Sequence, residues 1–231
     1  MDEQDRSRQL PGLVMALREE QLSPREIETR SFEIIAGLLP HVDQRRLDWP
    51  VIQRVVHSTG DPTVADSLRI HPNAVQAAFV ALRGGRPIVT DVRMVAAGIS
   101  KRLAAKLGCE VVCAIDDPNV ADLATRQGIT RGAAAMVLLA GQMNAAIVAI
   151  GNAPTALFAL LDLIRSRNAN PALVIGTPVG FVGAAEAKAE LVALADTGVP
   201  HITLEGTRGG SAIAVAAVNA LLRLAADRNE A

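Results

Sequence analysis

Two stretches decide the fold: Ala146-Ile147-Val148-Ala149-Ile150 running into Gly151-Asn152-Ala153-Pro154-Thr155, and Ala172-Leu173-Val174-Ile175 running into Gly176-Thr177-Pro178-Val179-Gly180-Phe181-Val182-Gly183. Each is a short Ile/Val-rich apolar run that stops at glycine and turns into a helical pattern. Such runs read as parallel strands buried on both faces. In open α/β sheets ligands sit just past the carboxyl ends of these strands. The two turns therefore mark the expected edge of a binding site.

Outward from these junctions the alternation continues. Pro87–Thr90 reads as a strand ending at Asp91, and Glu110–Ile115 as a strand ending at Asp116-Asp117-Pro118. His201–Leu204 reads as a fifth strand. Helical patterns cover Ser100–Leu107, Asn119–Gln127, Thr130–Gln142, Pro154–Arg167, Ala184–Leu194 and Ser211–Leu224. Upstream, Ser23-Pro24-Arg25-Glu26 combines an N-cap, a proline at the first helical position and an acidic first turn, starting a helix that reaches about Leu39. A second helix starts near Asp48-Trp49-Pro50, runs to His57 and breaks at Ser58-Thr59-Gly60-Asp61-Pro62. The expected architecture is α/β: a single domain with a mostly parallel sheet and helices on both faces, preceded by a helical N-terminal region. Residues 1–22 read as a charged, weakly patterned tail, and residues 23–231 as the α/β domain.

Composition narrows the class. Half of the 231 residues are hydrophobic but only 2% are aromatic, so the core is built from Ala, Val, Leu and Ile. A net charge of −1 argues against a nucleic-acid surface. Twenty of the 23 basic residues are arginines, the lysines being Lys101, Lys106 and Lys188. Codon bias explains that ratio; so does bidentate capture of carboxylates or phosphates, which arginine's planar fork performs better. Cys109 and Cys113 share an expected strand about 13 Å apart and read as packing thiols. The N-terminus, Met1-Asp2-Glu3-Gln4-Asp5-Arg6, has no signal-peptide pattern, and no apolar stretch reaches the roughly 18 residues of a membrane span. A cytoplasmic location, without membrane contact, is the expectation.

Taken singly, the chemistry-bearing residues form none of the common catalytic or nucleotide-binding motifs. No Gly-x-Gly-x-x-Gly opens a helix after the first strand; a Walker A motif and a Gly-x-Ser-x-Gly elbow are also missing. His41, His57, His71 and His201 lack metal-ligand spacing. His57 stands apart, at a helix end beside Ser58, Thr59, Gly60 and Asp61. It suits either a favourable charge at a helix C-terminus or proton exchange near neutral pH. Asp91 and Asp116 fit general bases or helix caps, capping being the simpler reading. Arg30, Arg93, Arg131 and Arg208 lie beside element boundaries.

Taken together, the segments resemble the precorrin-8X methylmutase family, also met as cobalt-precorrin-8 methylmutase. The matching segments are Ile27–Ile35, Arg54–Asp61, Thr90–Val95, Thr130–Ala134, Gly151–Leu157, Gly176–Lys188 and Gly209-Gly210-Ser211. The resemblance spans about Ser23 to Leu224. It implies an isomerase of cobalamin biosynthesis that moves a methyl group from C-11 to C-12 of a tetrapyrrole, without cofactor or metal. It implies that His57 is the proton donor. It places substrate contacts at Arg30, Ser31, Thr59, Gly60, Asp91, Arg131, Asn152, Ala153, Thr155, Val179, Gly180, Phe181 and Val182. Backbone N–H groups after Gly151 and Gly176, with the arginines, would face the ring's carboxylates, and Val179, Phe181 and Val182 its apolar face. It also implies a homodimer with sites near the interface. The family commonly shows Gly-Arg-x-Gly-Gly-Ser before the last helix; here Gly206-Thr207-Arg208-Gly209-Gly210-Ser211 carries its arginine one place later. Two rival functions are a non-catalytic corrinoid carrier on the same fold and a nucleotide-dependent enzyme on a generic α/β sheet.

Overall fold

A computed structural model of the chain describes residues 22–194 and 198–227. These residues divide into two compact units, with the boundary between Pro40 and His41. The expected tail falls, but for residue 22, outside the described residues.

In the first unit, helix α1 spans Pro24–Leu38. It starts where the sequence says. The Glu26 N–H donates to Ser23 Oγ (3.3 Å) and the Ser23 N–H to Glu26 Oε2 (2.7 Å), a reciprocal capping box.

The second unit carries α2 (Trp49–Thr59), α3 (Val64–Ser67), β1 (Leu68–Ile70), α4 (Ala74–Arg83), β2 (Ile88–Thr90), α5 (Arg93–Gly98), α6 (Lys101–Lys106) and β3 (Val111–Val112). There follow α7 (Pro118–Gln127), α8 (Arg131–Leu139), β4 (Ile147–Ile150), α9 (Pro154–Arg165), β5 (Leu173–Gly176), α10 (Ala184–Ala193), β6 (His201–Leu204) and α11 (Ser211–Asp227). The six strands form one sheet in the order β1-β6-β5-β4-β2-β3. Every pairing is parallel except β1 with β6.

Helices cover both faces. Register partners Val89, Val148 and Val174 point to one face, where they pack with Val120 of α7, Ala134 of α8, Leu157 and Leu160 of α9, and Leu191 of α10. On the other face α11 packs against β4 and β5 and against α2, α4, α5 and α6. Burying one such Leu or Val is worth about 1.5–3 kcal/mol. The alanine-rich composition lets the layers approach closely. Gly176 shows how closely: a Cβ there would lie 2.6 Å from Leu191 Cδ2 and 3.2 Å from Leu157 Cδ2.

Two details differ from the sequence expectation. A sixth strand, β1, lies in what reads as a helical third. It has only three residues, too few for a periodic signal, and its register with Leu204, Thr203 and Ile202 is set by a partner far along the chain. Strand β3 is two residues rather than six, because it sits at the sheet edge and pairs only with the short β2. Cys109 and Cys113 therefore flank this strand rather than lie in it. Both are free thiols, and the Cys109 Sγ–H donates to the Leu82 carbonyl at 3.3 Å.

Candidate active site

The strand order reverses direction between β2 and β4, the switch point where open α/β sheets leave a crevice. Asp91 follows β2 and Gly151 follows β4. Asp91 is fully buried. Its carboxylate accepts from the N–H groups of Gly151 (3.1 Å), Asn152 (2.8 Å) and Ala153 (2.9 Å). Helix α9 has no side-chain cap from Ala153, its own N-cap residue, so Asp91 supplies the cap from the neighbouring strand. Burial pushes the Asp91 carboxyl up from its usual range, and the three N–H donors pull it back. Asp91 was expected as a ligand contact, and the Gly151–Ala153 N–H groups as partners for ligand carboxylates. Here they satisfy each other.

Beyond this cap two neighbouring helices start side by side. Thr130 Oγ1 accepts from the Ala133 N–H to cap α8 and lies 2.7 Å from Thr155 Oγ1 in the first turn of α9. Arg131 and Asn152 are exposed around this pair. The structure thus brings Arg131, Asn152, Ala153 and Thr155 together at two helix N-termini already capped by Asp91 and Thr130, where the exposed Arg131 guanidinium suits an anionic group.

A second cluster forms where three loops meet. Helix α2 ends with Gly60 at φ 65°, a left-handed cap whose N–H donates to the Val56 carbonyl. His57 lies exposed in its last turn. Thr59 Oγ1 donates back to the Val56 carbonyl at 3.0 Å and accepts from the Asp61 N–H, which tightens the turn. Arg208, in the loop after β6, reaches this segment: its Nη1 lies 2.8 Å from Thr63 Oγ1 and 3.1 Å from Asp61 Oδ2. The Thr63 hydroxyl and N–H, with Arg208, hold the Asp61 carboxyl below its ordinary value.

The same β6 loop is laced to the loop after β5. The Gly210 N–H donates to the Thr177 carbonyl (2.7 Å), and the Gly180 N–H to the Thr207 carbonyl (3.2 Å). A side chain at Gly209 would collide with the Thr177 and Pro178 carbonyls, so the two loops lie in direct contact. On the β5 loop Val179, Phe181 and Val182 are exposed, Phe181 at 93%. Gly183 turns the chain into α10 at φ 76°, and a Cβ there would lie 3.3 Å from Phe158 Cε2 and 3.6 Å from Pro154 Cβ, so the end of the β5 loop lies against α9. Arg30 and Ser31 lie on α1 in the first unit, Ser31 Oγ donating to the Ile27 carbonyl.

Among the described residues no three His, Cys, Asp or Glu side chains are grouped to hold a metal, and no helix is long and apolar enough to cross a membrane.

The family model for precorrin-8X methylmutase matches residues 26–224. The chain belongs to the precorrin-8X methylmutase family. It is 43% identical over 207 residues to a cobalt-precorrin-8 methylmutase of Priestia megaterium, covering 88% of this chain and 89% of the relative. It is 47% identical over 169 residues to a precorrin-8X methylmutase of Pseudomonas aeruginosa, covering 73% and 80%. The crystal structure of a precorrin-8X methylmutase from Thermus thermophilus superposes with a TM-score of 0.78 at 41% identity, covering 87% of this chain and 98% of that one. As a methylmutase of this family the chain is an isomerase of cobalamin biosynthesis.

The contacts around Arg208 bring in residues that are not among the site residues expected from the sequence. Asp61 and Thr63 hold Arg208, and Lys188 donates to the Arg208 carbonyl. Lys188 carried two signals: its rarity in an arginine-rich chain and its place at the end of the family-matching segment Gly176–Lys188.

Proposed function

We propose that this methylmutase converts precorrin-8X, or its cobalt counterpart, to hydrogenobyrinic acid or its cobalt form, with His57 as proton donor. The observation that carries the reading is the meeting of three loops: Arg208 joins the segment after His57 to the β6 loop, and Gly180 joins that loop to Val179–Val182. Residues 57 and 181, distant in sequence, thereby belong to one edge of the sheet. In the reaction the C-11–methyl bond breaks and the C-12–methyl bond forms, so substrate and product are isomers. A proton lent by His57 to a ring nitrogen withdraws density from the π-system and is returned afterwards. General acid help of this kind is worth about 10²–10⁴-fold. The remaining acceleration is positional.

Thr59 and Gly60 shape the turn beside His57; Arg131, Asn152, Ala153 and Thr155 meet the carboxylates; Val179, Gly180, Phe181 and Val182 meet the ring face. Asp91 serves the same site by holding the Gly151–Ala153 turn. Residues 23–231 act as the methylmutase domain in the cytoplasm, as a homodimer with its sites near the interface. The exposed Phe181 and Val182 suit contact with a ring or with a second copy.

The test is visible spectroscopy. Moving the methyl makes C-11 trigonal and extends conjugation, so turnover changes the pigment's spectrum. An unchanged spectrum of precorrin-8X and of its cobalt form with wild-type protein would sink the reading. His57→Ala is expected to bind pigment without converting it, and undiminished turnover would remove His57 from the mechanism.

A further inference from the structure

Among the described residues Lys188 is the largest fully buried side chain, 1% exposed on α10. Its Nζ donates a hydrogen bond to the Arg208 carbonyl. Burying an ammonium is costly, and an apolar side chain of similar length fills such a position without the desolvation penalty. The chain moreover uses arginine for twenty of its 23 basic residues. A lysine's slender stem and compact head reach a carbonyl through a packed alanine-rich layer, where a planar guanidinium requires more room.

The carbonyl it holds lies at a junction. The backbone of residues 207–210 is fixed to the β5 loop by the Gly210–Thr177 and Gly180–Thr207 hydrogen bonds. The Arg208 side chain is fixed to Thr63 and Asp61, just past His57. Lys188 thus grips the backbone of a residue whose side chain reaches the segment after His57 and whose loop is bonded to the ring-facing loop.

Resting on the methylmutase reading above, we propose that Lys188 is a positioning residue for the methyl shift, acting through Arg208 to set His57 against Val179–Val182. It touches neither substrate nor product. Its effect is to hold two loops in the register that the proton donor requires.

The test is a double-mutant cycle with Lys188→Met, Arg208→Ala and the double variant, each followed by pigment binding, steady-state turnover and thermal melting. Wild-type turnover is measured first: an inactive wild type overturns the methylmutase reading itself, whereas an active one leaves any later failure to this proposal alone. Lys188→Met is expected to lower kcat about tenfold while KM moves by less than about twofold, because misplacement by a fraction of an ångström acts on the reactive geometry. The double variant should turn over no more slowly than the slower single variant, since both substitutions break one linkage. Unchanged kcat, a rise in KM alone, or losses that multiply would each overturn the proposal. If Lys188→Met does not fold, Arg208→Ala decides: a lower kcat at an unchanged melting temperature supports the linkage, and wild-type kcat refutes it.

Discussion

Asp91 receives the Asn152 N–H at 2.8 Å across 61 residues of chain, and so caps a helix that begins on a different strand from its own. The bond ties the start of α9 to the end of β2, at the switch point between β2 and β4.

Asp91→Ala would leave three N–H groups of the turn without their acceptor. The expected loss is about 3–5 kcal/mol of unfolding free energy, read as a lower urea midpoint with unchanged slope. Asp91→Asn should cost less, because its amide oxygen still accepts. Equal stability of the alanine variant and wild type would show that the cap contributes nothing.

Gly151 has no room for a side chain. A Cβ there would stand 2.7 Å from the Ser211 Cα and 2.9 Å from Val95 Cγ2. Since one of these atoms is backbone, Gly151→Ala must push the start of α11 away. About 1–3 kcal/mol of destabilisation is expected, with reduced turnover because α11 begins right after the Arg208 loop. Differential scanning calorimetry and a turnover assay check both parts.

Phe181 is almost wholly exposed, so Phe181→Ser should leave stability within about 0.5 kcal/mol of wild type. Loss of its apolar contact with a ring is expected to weaken pigment binding about tenfold. A pigment titration of a variant with normal melting that bound as tightly as wild type would take Phe181 out of the pocket. Analytical ultracentrifugation of the same variant reads whether it serves a second copy instead.

Burial pushes the Lys188 ammonium down from 10.5 to about 8. The folded protein releases this proton near pH 8, whereas the unfolded chain keeps it to near 10.5. Between those values the unfolded state binds more protons, so this lysine's contribution to stability rises with pH across the window, by on the order of 3 kcal/mol in full. Urea melts of wild type and Lys188→Met from about pH 7 to about pH 10.5 should differ by that rise. Parallel curves would show that the lysine is not held in an apolar setting.

Several features were legible because they are local. The Ser23–Glu26 capping box, the Ile/Val runs before Gly151 and Gly176, and Gly60 ending α2 are each decided by neighbours within four or five residues. Strand β1 was not legible, since its pairing partner β6 lies well over a hundred residues away. The opposite case is Asp91, whose helix-capping chemistry was readable but not the helix it caps.

The sequence by itself determined the α/β class, the polar turns at strand ends, and the matching segments that carry the family. Residue type and short-range periodicity specify these, because each strand's burial and each helix's start depend on adjacent side chains. Only the tertiary structure decided what the turns do. It gave the Gly151–Ala153 N–H groups to Asp91, tied Arg208 to Asp61 and Thr63, and set a buried lysine beneath that tie. The physical reason is that a hydrogen bond's value rests on which donor and acceptor are buried together. Sheet order and helix packing choose those pairs.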